Sequence, residues 1–174
     1  SATDASGNTG SETRTVTVVD TTAPVISVTS GTDTVELGAT WTDAGATADG
    51  GETVTTSGSV DTSTVGTYTI TYSATDASGN TGSETRTVTV VDTTAPVISV
   101  TSGTDTVELG ATWTDAGATA DGGETVTTSG SVDTSTVGTY TITYSATDAS
   151  GNTSSETRTV TVVDTTAPVI SVTS

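Results

Sequence analysis

Chemistry beyond hydrogen bonding would have to come from carboxylates in this chain: 21 Asp and Glu stand against three Arg, and there is no His, Cys, Lys or Met. Without His the commonest general base and metal ligand is missing. Without Cys there is neither a disulfide framework nor a thiolate metal site, and without Lys neither a Schiff base nor a Lys–Asn crosslink. The Asp residues recur at matching places. Asp20 and Asp92 sit in VDTTAP segments; Asp43, Asp49, Asp115 and Asp121 sit in Gly- and Ala-rich stretches; Asp76 and Asp148 open the sequence DASGN; Asp33 and Asp61 lie in turn sequences. Hard oxygen donors in such numbers suit Ca²⁺, which takes six to eight oxygens in loose geometry. Asp in a turn also serves by accepting backbone N–H bonds, and Asp148, just before Gly151-Asn152, is placed for that. There is no EF-hand loop and no glycine-rich nonapeptide. Paired-carboxylate hydrolysis needs two acids across a cleft, which a small sandwich lacks, so no catalytic or cofactor-binding residue is expected.

The elements that position these carboxylates are repeated. Shifted by 72 residues, the chain matches itself at 101 of 102 positions, Gly82 opposite Ser154 being the exception. It is therefore two copies of one unit and part of a third, and repeats of this kind fix the architecture before any single residue does. Few large apolar residues and a net charge of −18 would suit a disordered or mucin-like chain, but the pattern opposes both. Thr67-Tyr68-Thr69-Ile70-Thr71-Tyr72-Ser73-Ala74 and Arg86-Thr87-Val88-Thr89-Val90 alternate strictly, as strands with one buried and one wet face do.

Along the second unit the punctuation gives about seven short strands: Val97–Thr101 with Ile98 and Val100 inward, Val107–Leu109, Glu124–Ser129, one near Val132, Thr139–Thr147 and Ser155–Val163 among them. Asp115–Gly123 reads as a long loop, and Asp133–Gly138 as a corner with Val137 tucked beneath it. The expected fold class is all-β, with no helix of note: tandem antiparallel β-sandwich domains of about 72 residues with immunoglobulin-like topology. Trp41 or Trp113 and the Tyr pairs are expected to anchor each core in place of a disulfide. The expected domains are 21–92 and 93–164. Residues 1–20 read as the end of a preceding repeat and 165–174 as the first strand of a following one, an excerpt from a longer array.

In that topology the linker, the long loop and the DASGN turn share one end. Asp92, Asp115, Asp121 and Asp148 gather there in one copy, and Asp20, Asp43, Asp49 and Asp76 in the other; Asp33 and Asp61 come from the exit end of the preceding domain. Carboxylates so gathered without a cation repel one another, and these ten are the candidate ligands of a calcium ion at domain junctions. The acidic balance is the wrong sign for nucleic acid or an anionic membrane. The longest apolar run, Ala23–Ile26, is far below the roughly 18 residues of a membrane span. Asn152-Thr153-Ser154 forms a glycosylation sequon that Asn80-Thr81-Gly82 does not, and a single Gly/Ser drift is its simplest origin.

The stretches DTTAPVI (Asp92–Ile98), VELGATWTDAGATA (Val107–Ala120), GSVDTSTVGTYTITYSATDASGN (Gly130–Asn152) and TRTVTV (Thr157–Val162) resemble the tandem immunoglobulin-like repeats of bacterial surface adhesins, related to the hyalin-repeat group. DGGE (Asp121–Glu124) departs from the longer acidic loop that relatives often carry. The resemblance implies an extracellular or cell-surface, non-enzymatic module. Its expected role is a structural extender, near-identical domains in series, stiffened by interdomain calcium of the kind several adhesion arrays hold. The alternatives are a multivalent weak ligand-binding module and a segment of an extracellular filament. Partners are then neighbouring repeats and possible like chains, with no nucleic acid and no membrane insertion.

Overall fold

The alternating Thr–apolar segments become the two longest strands of each repeat. The structure, a computed structural model, describes residues 1–172 and divides into two units, Ser1–Val91 and Asp92–Ser174. The first contains β1 (Ala2–Thr3), β2 (Thr9–Gly10), β3 (Ile26–Val28), β4 (Thr34–Glu36), β5 (Ala46–Ala48), β6 (Thr55–Ser57), β7 (Gly66–Thr75) and β8 (Thr81–Val91). The second contains β9 (Ile98–Val100), β10 (Thr106–Glu108), β11 (Ala118–Ala120), β12 (Thr127–Ser129), β13 (Gly138–Thr147) and β14 (Thr153–Val163). The described residues hold no helix. The fold is the expected all-β one.

Within the first unit β7 and β8 form an antiparallel hairpin in register Tyr68↔Val88 and Ile70↔Arg86. The turn closes through Asp76, whose N–H donates to the Asn80 carbonyl at 3.0 Å, with Gly79 at φ 90°. Strand β6 adds antiparallel to β7, and β4 adds parallel to β8, giving the order β4-β8-β7-β6. The parallel pair is what a strand reaching the sheet edge from the opposite layer produces. A second small sheet, β3·β5, covers the first: Ile26, Ala46 and Ala48 pack on Ile70, Tyr72 and Ala74. The second unit repeats this, with β10-β14-β13-β12 in one sheet and β11-β9 in the other.

The parity read from the sequence holds. Ile70, Tyr72, Val88 and Val90 are buried, Thr69 is exposed, and Tyr68, Trp41 and Thr71 are half-buried. Burying a large apolar side chain contributes roughly 1.5–3 kcal/mol, and four such residues per hairpin supply most of a small core. Trp41 touches both halves of the core and donates its indole N–H to the Thr32 carbonyl at 2.8 Å.

Several expectations are corrected. The long loop contains a strand, β11, that pairs with β9. No strand forms near Val132, which still packs half-buried against the core. Val137 is 56% exposed rather than tucked under its corner. The Asp133 side chain holds that corner instead, accepting bonds from the Ser135 N–H at 3.0 Å and the Thr136 hydroxyl at 3.0 Å. Of the segment read as the first strand of a following repeat, residues 165–172 form no strand and residues 173–174 lie outside the described residues.

Candidate functional site

The DASGN turn, the incoming linker and the loop after β5 meet at one end of the first unit. Asp76 Oδ1 accepts from the N–H groups of Ser78 and Asn80, both within 2.9 Å, and Oδ2 from the Asn80 side-chain amide at 2.8 Å. Those bonds, the Asn80 amide first, hold its carboxyl below the usual range. The turn then reaches the linker: Ser78 Oγ donates to Asp20 Oδ2 and the Asn80 amide to the Asp20 carbonyl, each at 3.3 Å. Asp49 accepts the Val25 N–H at 2.9 Å. Asp20, Asp49, Asp76 and Glu52 thus line one open depression of about 240 Å³, and Glu52 Oε2 is buried with no hydrogen-bond partner. Among the described residues, no group of three or more carboxylates is close enough to hold a metal ion.

The second unit repeats the turn-to-linker bonds and tightens them. Ser150 Oγ donates to Asp92 Oδ2 at 2.8 Å and the Asn152 amide to the Asp92 carbonyl at 3.1 Å, while Asp148 accepts from Ser150, Asn152 and the Asn152 amide. Asp121 accepts the Val97 N–H. The one divergent position joins in: a side chain at Gly82 would meet the Pro24 carbonyl, and Ser154 turns that contact into a hydrogen bond from its Oγ to the Pro96 carbonyl at 2.5 Å. Both hydrogens of the Asn152 amide are engaged, so the sequon's acceptor nitrogen is tied into the turn.

Asp43 and Asp115 go elsewhere. Each turns inward to a buried Arg and Tyr. Asp115 Oδ1 accepts the Tyr144 hydroxyl at 2.5 Å, the Gly117 N–H at 3.0 Å and Arg158 Nη1 at 3.2 Å. Arg158 also donates to the Thr101 carbonyl, and its Nε lies 3.5 Å from Asp105. In the first unit Asp33 and Asp43 flank Arg86 at 3.7 and 3.9 Å, and Tyr72 donates to Asp43. Burial pushes the Asp115 carboxyl up, but the Tyr144 and Gly117 bonds and the Arg158 charge outweigh it and leave it below its ordinary value. Burial, reinforced by Asp115, pushes the Tyr144 phenol up to about 12. Asp61 stands apart, closing its own turn with Ser63 and Thr64.

Sequence reading missed these arginines. The signal was present, since Arg86 and Arg158 share the parity of the buried valines beside them. It also missed Glu108, which binds the chain leaving the second unit. Its carboxylate accepts the N–H and hydroxyl of Thr165 at 2.7 and 2.8 Å, and those of Thr166 at 3.1 and 3.0 Å. These bonds, the Thr165 N–H first, hold its carboxyl below the usual range.

Two segments, residues 25–90 and 97–162, match the model of a family described as "Bacterial surface protein, Ig-like domain". The chain is 41% identical over 197 aligned residues to hyalin of Strongylocentrotus purpuratus; the match takes in 98% of the chain and 16% of hyalin. A crystal structure of a lipoprotein from Bacteroides thetaiotaomicron aligns with 79% of the chain and 80% of its own length at 19% identity, with a TM-score of 0.35.

Proposed function

Because the chain belongs to the bacterial surface protein Ig-like domain family, which puts it at the cell surface or outside the cell, we propose that it is a non-catalytic extender. One observation carries this reading: in the second unit the chain is tied down where it enters and where it leaves, at opposite ends of β14. The incoming linker is held by Ser150, Asn152 and Ser154, at the turn that opens β14. The outgoing segment is held by Glu108, which pairs with Val163 at the strand's last residue. Strand β14 has 11 residues, which at 3.3 Å each separates the two ties by about 36 Å. A domain whose entry and exit lie at opposite poles adds its own length to a series.

Small-angle scattering of arrays of two, four and eight repeats tests this. The extender reading expects the maximum dimension to grow linearly, by roughly 35–40 Å per repeat. Growth as the square root of repeat number, the behaviour of freely jointed domains, would refute it.

Calcium association is a second reading, supported by the gathering of Asp20, Asp49, Asp76 and the unpartnered Glu52 oxygen around one depression. A cation there requires those carboxylates to draw together. Ca²⁺ sites of extracellular modules typically bind at 10⁻⁴–10⁻³ M, so melting in millimolar calcium and in chelator is the test. Calcium binding raises the melting temperature, and Asp49→Asn with Asp76→Asn, combined with Asp121→Asn and Asp148→Asn at the matching positions of the second unit, removes the rise. Identical melting in both solutions refutes the calcium reading and leaves the extender reading intact.

A further inference from the structure

Where β7 and β8 pair, the outward face of the hairpin is made of hydroxyls alone; β8 ends beyond it on Val91, and β4 brings Thr34 and Glu36 to the far edge. In the first unit the residues opposite the core on β7 are Thr67, Thr69, Thr71, Ser73 and Thr75, paired with Thr89, Thr87, Thr85, Ser83 and Thr81 on β8. All ten are exposed or half-buried, and the edge strand β6 extends the face with Thr55 and Ser57. The register of β13 and β14 repeats the same ten residue types. In a chain with 21 acidic residues and a net charge of −18, none of these twenty positions carries a charge.

From this we infer that the hydroxyl face is a weak, multivalent self-association surface whose partner is the same face of a second copy of this chain. A face meeting its own copy about a two-fold axis must be self-complementary. A carboxylate face accepts only and repels its copy, whereas a hydroxyl both donates and accepts and can satisfy an identical neighbour. The β-branched Thr side chains are stiff about χ1, so ordering them costs little. A ten-residue hairpin, at 3.3 Å per residue and 4.8 Å between strands, offers about 33 by 10 Å, and the three-residue edge strand β6 adds a strip of about 10 by 5 Å, together on the order of 370 Å². That is below the roughly 800 Å² per partner of a stable interface, so a single face binds weakly and association grows as repeats are added. Opposition comes from the carboxylates on the remaining surface, which salt screens.

The test is sedimentation equilibrium on this two-repeat chain and on a four-repeat chain, across salt from about 0.01 to about 1 M, where the screening length falls from about 30 to about 3 Å. The weight-average mass is expected to rise with protein concentration and with salt, with association at least tenfold tighter for four repeats than for two. Thr69→Asp with Thr141→Asp should abolish it while the far-ultraviolet spectrum stays unchanged and the melting temperature drops by only the few degrees that a poor strand former costs. Ser59→Asp with Ser131→Asp adds the same charge in exposed loops and should leave association in place at high salt. A monomer under all conditions, association that weakens with salt, or association indifferent to Thr69→Asp and Thr141→Asp each overturns the inference.

Discussion

At the residue scale, the informative outcome is how two chemically identical carboxylates part company. Asp115 and Asp121 are six residues apart in one Gly- and Ala-rich stretch, and composition offers no reason to separate them. Asp121 caps the Val97 N–H at the surface; Asp115 joins a buried arginine and a tyrosine 43 and 29 residues away. Only the fold brings those partners together, which is why spacing along the chain made Asp115 look like a metal ligand. Removing Asp115 leaves Arg158 with Asp105 and the Thr101 carbonyl but leaves the Tyr144 hydroxyl without its acceptor. Asp115→Ala should therefore destabilise the second unit by about 2 kcal/mol equally in calcium and in chelator, measured by urea titration; a loss confined to calcium solutions would show that Asp115 binds the ion after all. Tyr144 adds an alkaline limit. Its folded pKa, about 12, lies above the ordinary 10.0, so its contribution is complete below pH 10 and disappears as pH rises through about 12. Tyr144→Phe should flatten that alkaline decline in melting temperature, and an unchanged decline would assign it to other groups.

At the element scale, strict alternation made both long strands of each repeat legible, and their parity carried the core with it. Short edge strands were harder because their identity depends on a partner. Ala118–Ala120 offers two methyl groups and one Thr, and becomes β11 only because β9 supplies the ladder. The same dependence appears in one repeated segment. Arg-Thr-Val-Thr-Val-Val is strand at 86–91, with Val88 and Val90 fully buried, yet at 14–19 it forms no strand and Val16 and Val18 are 72% and 93% exposed. Turn glycines are similarly unequal. Gly130 and Gly151 have almost the same φ, 92° and 91°, but a side chain at 130 would meet the Thr141 carbonyl while one at 151 meets open space. Gly151→Ala should cost only the left-handed backbone penalty, about 1–2 kcal/mol. Gly130→Ala adds a backbone clash and should cost clearly more. Chemical denaturation of the two variants settles the order, and equal losses would mean that the β12–β13 junction yields to an added methyl group at little cost.

At the scale of the whole molecule two electrostatic effects oppose each other, and their balance sets the pH of maximum stability. A net charge of −18 at pH 7 destabilises the compact state by self-repulsion. That cost shrinks as pH falls toward the isoelectric point near 4.1. Against this stand carboxylates that the fold holds below their ordinary values: Asp148 by the Asn152 amide, Asp133 by Ser135, Glu108 by Thr165 and, at the core, Asp43 and Asp115, where hydrogen bonds and arginine outweigh burial. A carboxyl with a depressed folded pKa stabilises above its unfolded value and loses that contribution as pH falls through its folded value. For these groups the unfolded values are 3.8 for Asp and 4.5 for Glu, so the loss begins where the repulsion has nearly vanished. With no His to titrate, the melting temperature at low ionic strength should stay level from pH 7 to about 5.5, rise toward about 4.5 as exposed carboxylates take up protons, then drop steeply below about 3.5. Molar salt should remove the rise, because it screens the repulsion between exposed charges, and keep much of the acid drop, because close hydrogen-bonded pairs are screened less. Calorimetry at three pH values and two salt concentrations separates the two effects. A melting temperature that falls steadily from pH 7 downward would mean that self-repulsion is too small to govern stability, and with it the salt dependence expected of the hydroxyl faces would lose its physical basis.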